Sequence, residues 1–318
     1  MVVTGVSVGS EEPAGRKQVV AIGEALWDVF PDGRRPGGAP CNVAFHAAQL
    51  GDRGVIVTRV GADATGSELV AFLRERGVVT EHVQRDPDRP TGTVAVTLTG
   101  GEPRYTITED VAWDHLEAIP NARSCVRAAD AVVIGSLAQR SAVSRTAIHA
   151  LVAEARGRAT IVYDVNLRPP YVDAAVVEAT CRAATVVKMN AAELEALATL
   201  LARPSLVPWL LDDVGVQAVC VTRGPRGATL FTTEGAVSEP GAEIRAAGGD
   251  TVGAGDAFTA AMIHRLVRGA APEVVLRTAN GYAALVSSRA GAMPGIAVDD
   301  LTAAGVISPA RPPREVQG

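Results

Sequence analysis

Asp250-Thr251-Val252-Gly253-Ala254-Gly255-Asp256-Ala257-Phe258 leads into an amphipathic helical stretch that runs to about residue 266. A glycine-containing turn that opens a helix is an anion site. Its N–H groups have no partner inside the helix, and the helix dipole favours negative charge there. A loop that bound phosphate alone would avoid an acidic side chain in that positive pocket, yet this one carries Asp256. Accepting a phosphoryl group while deprotonating a hydroxyl needs both features together. Asp256 therefore reads as a general base beside an anion hole made by the amides of Gly253, Ala254 and Gly255. The chain reads as a phosphotransferase.

Around this turn, short apolar runs alternate with helical patterns. The spacing predicts strands over 19–22, 54–60, 131–134, 160–164, 185–188 and 218–221. It predicts helices near 41–50, 66–76, 141–156, 191–201, 255–268 and 272–289. Such alternation implies an α/β fold with a mostly parallel sheet and helices on both faces. Two segments break the rhythm. Residues 26–37 and 91–109 look extended, the second rich in Thr, Val and Tyr with Gly100, Gly101, Glu102 and Pro103 at its middle. Together they predict a small antiparallel sheet set apart from the parallel core. Residues 1–17 and 308–318, rich in Gly, Ser, Glu, Pro and Arg, read as a disordered leader and tail around one domain over 18–307.

The 318 residues are 47% hydrophobic and 20% charged, ordinary for a globular protein with an ample core. A net charge of −5 gives no reason to expect nucleic acid or an anionic membrane as partner. Cys41, Cys125, Cys181 and Cys220 lie far apart without a C-x-x-C pair, which points to neither a zinc site nor a disulfide framework. The first residues do not read as a positive, apolar, small-residue secretory leader, and no apolar run reaches the ~18 residues that would span a bilayer. A cytoplasmic location is the expectation. The chain has no G-x-x-x-x-G-K-[ST], so a P-loop does not hold any nucleotide. Only Lys17 and Lys188 are lysines.

The 250–258 turn resembles the C-terminal signature of the ribokinase-like (PfkB) carbohydrate kinases. Gly37-Gly38-Ala39-Pro40-Cys41-Asn42-Val43-Ala44-Phe45-His46-Ala47-Ala48-Gln49-Leu50-Gly51 resembles that family's N-terminal sugar-binding pattern. The two lie in the family's order, and the resemblance runs from about residue 18 to about 298. It implies a ribokinase-like fold in which the small sheet forms a lid over a sugar site and pairs two copies into a homodimer. It also implies ATP and Mg²⁺ as cofactors.

The resemblance assigns roles residue by residue. Asp28 would accept sugar hydroxyls. Gly37 and Gly38 let the backbone approach a ligand and could act as a hinge. Asn42 reads on its own as a helix cap, and the family pattern makes it a sugar contact. His46 reads as packed in the helix, outside the site. Asp164-Val165-Asn166-Leu167-Arg168 resembles the D-x-N-x-R segment of fructokinase-like members, where Arg168 would face the moving phosphoryl group. Asn166, Lys188, Asn190, Thr222, Gly224, Gly227 and Asn280 are the implied nucleotide-binding set. Asn190 and Glu193 form an N-x-x-E element that by spacing alone is equally a capping box. As the family reads it, Glu193 positions Mg²⁺ through water. Asp250 and Val252 stand where relatives place a monovalent cation, K⁺. Here Ala247-Gly248-Gly249 replaces apolar residues, which leaves K⁺ open.

Fructose is the expected acceptor, because 23–28, 37–44 and 110–114 look fructokinase-like. Ribose and 2-keto-3-deoxygluconate stay open. A catalytically silent sugar-binding regulator on the same fold is the rival from another class. A nicotinamide-dependent enzyme is excluded by the lack of a G-x-G-x-x-G turn after the first strand.

Overall fold

A computed structural model describes residues 15–99, 102–242 and 249–307, with the side chains of 96–105 outside the description. The expected tail, the Gly100-Gly101 turn, Ala247, Gly248 and most of the expected leader lie outside the described residues. Of the leader, Lys17 pairs with Asp130 at 2.9 Å.

Among the described residues thirteen strands form two sheets. The strands are β1 Gln18–Ile22, β2 Leu26–Phe30, β3 Gly33–Gly37, β4 Arg53–Gly61, β5 Val83–Asp86, β6 Gly92–Thr99 and β7 Glu102–Ile107. They continue with β8 Ala131–Ile134, β9 Thr160–Asp164, β10 Val186–Asn190, β11 Ala218–Thr222, β12 Ala228–Thr232 and β13 Gly235–Glu239. The large sheet runs β13-β12-β11-β10-β9-β8-β1-β4-β5 and the small one β3-β2-β6-β7. Strands β11 through β5 of the large sheet are parallel; β12 and β13 add an antiparallel edge.

Six of these strands and six of the helices below fall where the periodicity puts them, within about two residues. The short β5, β12 and β13 and helices α3, α5, α7 and α10 were not foreseen. The helices are α1 Ala39–Gln49, α2 Ala64–Glu75, α3 Pro120–Arg127, α4 Ala142–Ala155 and α5 Ala174–Ala183. The others are α6 Ala191–Leu200, α7 Leu206–Pro208, α8 Ala254–Leu266, α9 Pro272–Ser287 and α10 Val298–Ala303.

Alternation along β1 divides the core in two. Val19 and Ala21 join the apolar layer under α1, α8 and α9, while Val20 and Ile22 join the layer under α3, α4 and α5. All four are fully buried. A strand covered on both faces needs apolar residues at every position, which is why β1 and β8 read as continuous apolar runs.

The small sheet departs from the expected antiparallel pattern at its centre. The β2–β3 and β6–β7 pairs are antiparallel, but β2 and β6 run parallel, with Asp28 opposite Val94. The chain between them is a long crossover through α1, β4, α2 and β5 rather than a tight turn, and a crossover returns the chain in the same direction. At the base of this sheet, Asp63 caps α2 by accepting from Gly66 (2.6 Å) and also accepts from the Thr91 amide (2.8 Å). Burial alone would raise its carboxyl, but these bonds outweigh it and hold the group at about 2.

Candidate active site

A cavity of about 810 Å³ lies between the small sheet and the end of the large sheet where β1 and β9 finish. In an open α/β sheet, ligands bind outside those carboxyl ends. Leu26, Asp28, Val94 and Ile107 line it from the small sheet; Asn42, Asn166, Arg168, Gly253, Gly255 and Asp256 line it from below.

Helix α1 brings Asn42 in through a tight entry. Gly38 has φ +104°, and a Cβ there would lie 2.5 Å from the Glu24 carbonyl oxygen. Pro40 in the first turn suits the helix start, and the Asn42 amide donates to the Gly38 carbonyl (3.0 Å). Gly37 sits against the Asp28 carboxylate, where a side chain would collide. Asn42 Nδ2 donates to Asp256 Oδ2 at 2.6 Å, whereas the buried Asn42 Oδ1 has no partner among the described residues.

Asp256 stands in the first turn of α8, entered through Gly253 at φ +76°. A side chain at Gly253 would lie 2.7 Å from Ala292. Among the described residues, the N–H groups of Gly253 and Gly255 make no hydrogen bond, as expected at an open helix start. Ala254 differs from expectation. Its amide turns onto the Thr251 carbonyl at 3.3 Å, because the turn closes on itself there, and it does not line the cavity.

Burial lifts the Asp256 carboxyl to about 6; neighbouring Asp164 adds to the rise, while Asn42, Lys188 and Arg168 oppose it. Burial likewise lifts Asp28 to about 6 against the pull of Arg168. Arg168 is exposed, and its Nη1 donates to the Leu167 carbonyl (2.9 Å) in its own loop. It is the cation shared by Asp28, Glu24 and Asp256. Asn166 holds φ +38° beside it.

Of the residues assigned to the nucleotide, Asn166 lines this cavity and the others fall outside it. Asn190 and Thr222 are register partners at the ends of parallel β10 and β11, and Gly224 and Gly227, both at positive φ, shape the turn into β12. Asn190 and Glu193 form the capping box of α6: Asn190 Oδ1 accepts from the Glu193 amide (2.9 Å) and Glu193 Oε2 from the Asn190 amide (2.8 Å). Glu193 Oε1 accepts from the Leu167 amide (3.0 Å), which ties the Arg168 loop to α6. Asn280 is buried, its Nδ2 donating to the carbonyls of Glu239 and Pro240. Lys188 is buried beneath α8. Asp250 accepts from the amides of Val252 (2.9 Å) and Gly291 (3.0 Å), and Val252 is exposed.

His46 is buried, with its ring nitrogens against the Tyr282 hydroxyl and the Ala292 carbonyl. All four cysteines are separate and buried. Among the described residues no cluster of three or more His, Cys, Asp or Glu could hold a metal, and no helix is long and apolar enough to cross a membrane. A Mg²⁺ that keeps its water and leans on nucleotide phosphates needs no such cluster, so the residues present fit it.

Glu24 lines the cavity and was not singled out from sequence. Burial lifts its carboxyl to about 7, and Oε2 has no partner. Its position, just past the end of β1 and among apolar neighbours, was the available signal.

The chain matches the family described as pfkB family carbohydrate kinase over residues 20–298. Fructokinase of Vibrio alginolyticus is 29% identical over 297 residues, 87% of this chain and 94% of that protein. The structure of an uncharacterized sugar kinase from Pyrococcus horikoshii in complex with ATP superposes with a TM-score of 0.76 at 27% identity, covering 90% of this chain and 97% of that one. Fructokinase from Vibrio cholerae in a fructose, ADP and calcium ion bound form gives 0.74 at 28% identity, covering 88% and 95%.

Proposed function

The chain belongs to the pfkB family of carbohydrate kinases, and from that membership we propose that it transfers the γ-phosphoryl group of ATP to a primary hydroxyl of D-fructose, giving fructose 6-phosphate. One observation carries the reading. Asp256 sits in the first turn of α8 beside two unengaged glycine amides, hydrogen-bonded to Asn42, on the wall of a cavity that the small sheet borders with Asp28.

In the mechanism, the sugar lies between Asp28 and Asn42. The Asp28 carboxylate accepts two hydroxyls, and the partnerless Asn42 Oδ1 accepts another. Asp256, as the carboxylate, takes the proton of the primary hydroxyl while that oxygen attacks the γ-phosphorus and the bond from the γ-phosphorus to the β,γ-bridging oxygen breaks, leaving ADP. The amides of Gly253 and Gly255 and the exposed Arg168 bear the charge on the transferring group, a task of positioning and electrostatics. Asn166, Asn190, Thr222, Gly224 and Gly227 border the nucleotide. Mg²⁺, when bound with ATP, neutralises phosphate charge; Glu193 would reach it through water. Asp250 and the Val252 carbonyl would serve K⁺, and two copies would pair through the lid.

Support for fructose comes from the fructokinases of both Vibrio species. The test is turnover of purified protein with ATP and Mg²⁺ against fructose, ribose, 2-keto-3-deoxygluconate and nucleosides. The highest kcat/KM on fructose supports the proposal. Preference for another sugar replaces the acceptor and keeps the chemistry. Sugar binding without turnover favours a silent regulator.

A further inference from the structure

Beneath the first turn of α8 lies a buried ion pair that the cavity does not reach. Lys188 Nζ donates to both carboxylate oxygens of Asp164, at 3.0 and 3.1 Å, and to the carbonyl of Gly255 at 3.4 Å. The Thr259 hydroxyl lies 2.6 Å from Asp164 Oδ2 and 3.0 Å from the same Gly255 carbonyl. The Lys188 and Asp164 side chains are 8% and 6% exposed. They are register partners on neighbouring strands β10 and β9, so both point to one face of the sheet.

Stability is a weak reason for such a pair, since apolar residues of the same volume often serve as well. Its position gives a better one. The Gly255 carbonyl and the Asp256 N–H belong to one planar peptide and point in opposite directions. Holding the carbonyl down on Lys188 and Thr259 aims the N–H of the base itself outward, beside those of Gly253 and Gly255.

We propose that Lys188 and Asp164 are a positioning pair for phosphoryl transfer, which clamps the Gly255–Asp256 peptide from beneath, with the Lys188 ammonium offsetting the Asp164 carboxylate behind the base. Lys188 thus acts through the turn rather than by touching the nucleotide. The proposal rests on Asp256 being the base. The charged groups that face Asp256 are Asp164 from β9, Lys188 from β10, Arg168 from the loop after β9 and Glu24 from the segment after β1, with the Asn42 amide from α1. Those facing Lys188 are Asp164, Asp256 and Glu193. Burial opposes the charge on Lys188, but Asp164 and Asp256 outweigh it and hold the ammonium form.

The test follows the Asp256 carboxyl by carbon NMR, assigned through Asp256→Asn, together with ATP binding by calorimetry and steady-state kinetics. Lys188→Met removes the cation and should move the Asp256 midpoint up by about one pH unit. It should lower kcat by roughly 10- to 100-fold, the scale of a displaced reacting group, with ATP affinity unchanged. The double variant Asp164→Asn/Lys188→Met leaves no lone buried charge and keeps a folded reference. Its midpoint should return toward that of the wild type while kcat stays low, because the clamp is still missing. An unmoved midpoint in Lys188→Met, or a roughly tenfold loss of ATP affinity with kcat intact, overturns the proposal. If the sugar-kinase reading itself fails, the wild type turns over no sugar, whereas the titration and ATP binding still judge Lys188.

Discussion

Asn42 Nδ2 lies 2.6 Å from Asp256 Oδ2, joining the first turns of two helices across 214 residues of sequence. The helices pack on one face of the large sheet within a shared apolar layer, so this contact is held from behind by the core. In the proposed reaction the base would be held by a side chain that also faces the acceptor, which would couple binding to proton transfer.

Asp256→Asn keeps the shape of the turn and removes the base. We expect kcat to fall by roughly 10²–10⁴ with ATP and sugar affinity little changed. Because the native carboxyl sits at about 6 and works ionised, wild-type kcat/KM should decline as pH falls through about 6. A variant with native turnover, or a flat acid limb, argues against the assignment.

Asn42→Ala and Asp28→Ala each remove a polar partner for hydroxyls, and a buried hydroxyl left unpaired costs about 1–3 kcal/mol. Both should weaken sugar binding far more than ATP binding in calorimetry. Asn42→Ala also deletes the bond that steadies ionised Asp256, so its acid limb should move to higher pH while that of Asp28→Ala moves less. Loss of ATP affinity with fructose affinity intact would reverse the two half-sites.

Glu24→Gln tests the buried carboxyl. Its folded pKa of about 7 lies above the ordinary 4.5, so folding favours the protonated form. The native protein should be most stable relative to this variant near pH 4.5 and lose that advantage as pH rises through 7. The swing is about 3 kcal/mol at most, read as the difference in Tm between pH 5 and pH 8. Parallel Tm curves for the two proteins would mean that Glu24 is not shifted.

Gly38→Val places a Cβ 2.5 Å from the Glu24 carbonyl in a backbone conformation at φ +104° that valine avoids. The start of α1 must shift, and Asn42 with it. We expect kcat and the sugar KM to deteriorate together, with a lowered Tm. Native kinetics and native Tm would show that the entry tolerates a side chain.

The parallel core was legible because strands buried on both faces leave unbroken apolar runs and helices leave a 3.6-residue period. The α8 turn was legible because glycines and a carboxylate at a helix start have few other uses. The parallel pairing of β2 with β6 was not, since strand direction across a long crossover leaves no local mark. Asn190 and Glu193 show a different limit: one spacing serves both a capping box and a metal motif, and the structure builds the box. The family resemblance assigns Asn280, on α9, and Lys188, on β10, to the nucleotide. Their real partners, the Glu239 and Pro240 carbonyls and Asp164, are far away in sequence and invisible to spacing.

The division of the cavity between two sheets has an evolutionary consequence. Leu26, Asp28, Val94 and Ile107 belong to the small sheet, whereas Asp256 and Arg168 follow from the large one. Among the described residues, the small sheet contributes Trp27 to the apolar layers that hold the protein together, with Ile107 packed at the edge of one. Its inner face can therefore accumulate substitutions at little risk to folding, and the acceptor can diversify while the transfer chemistry is inherited intact.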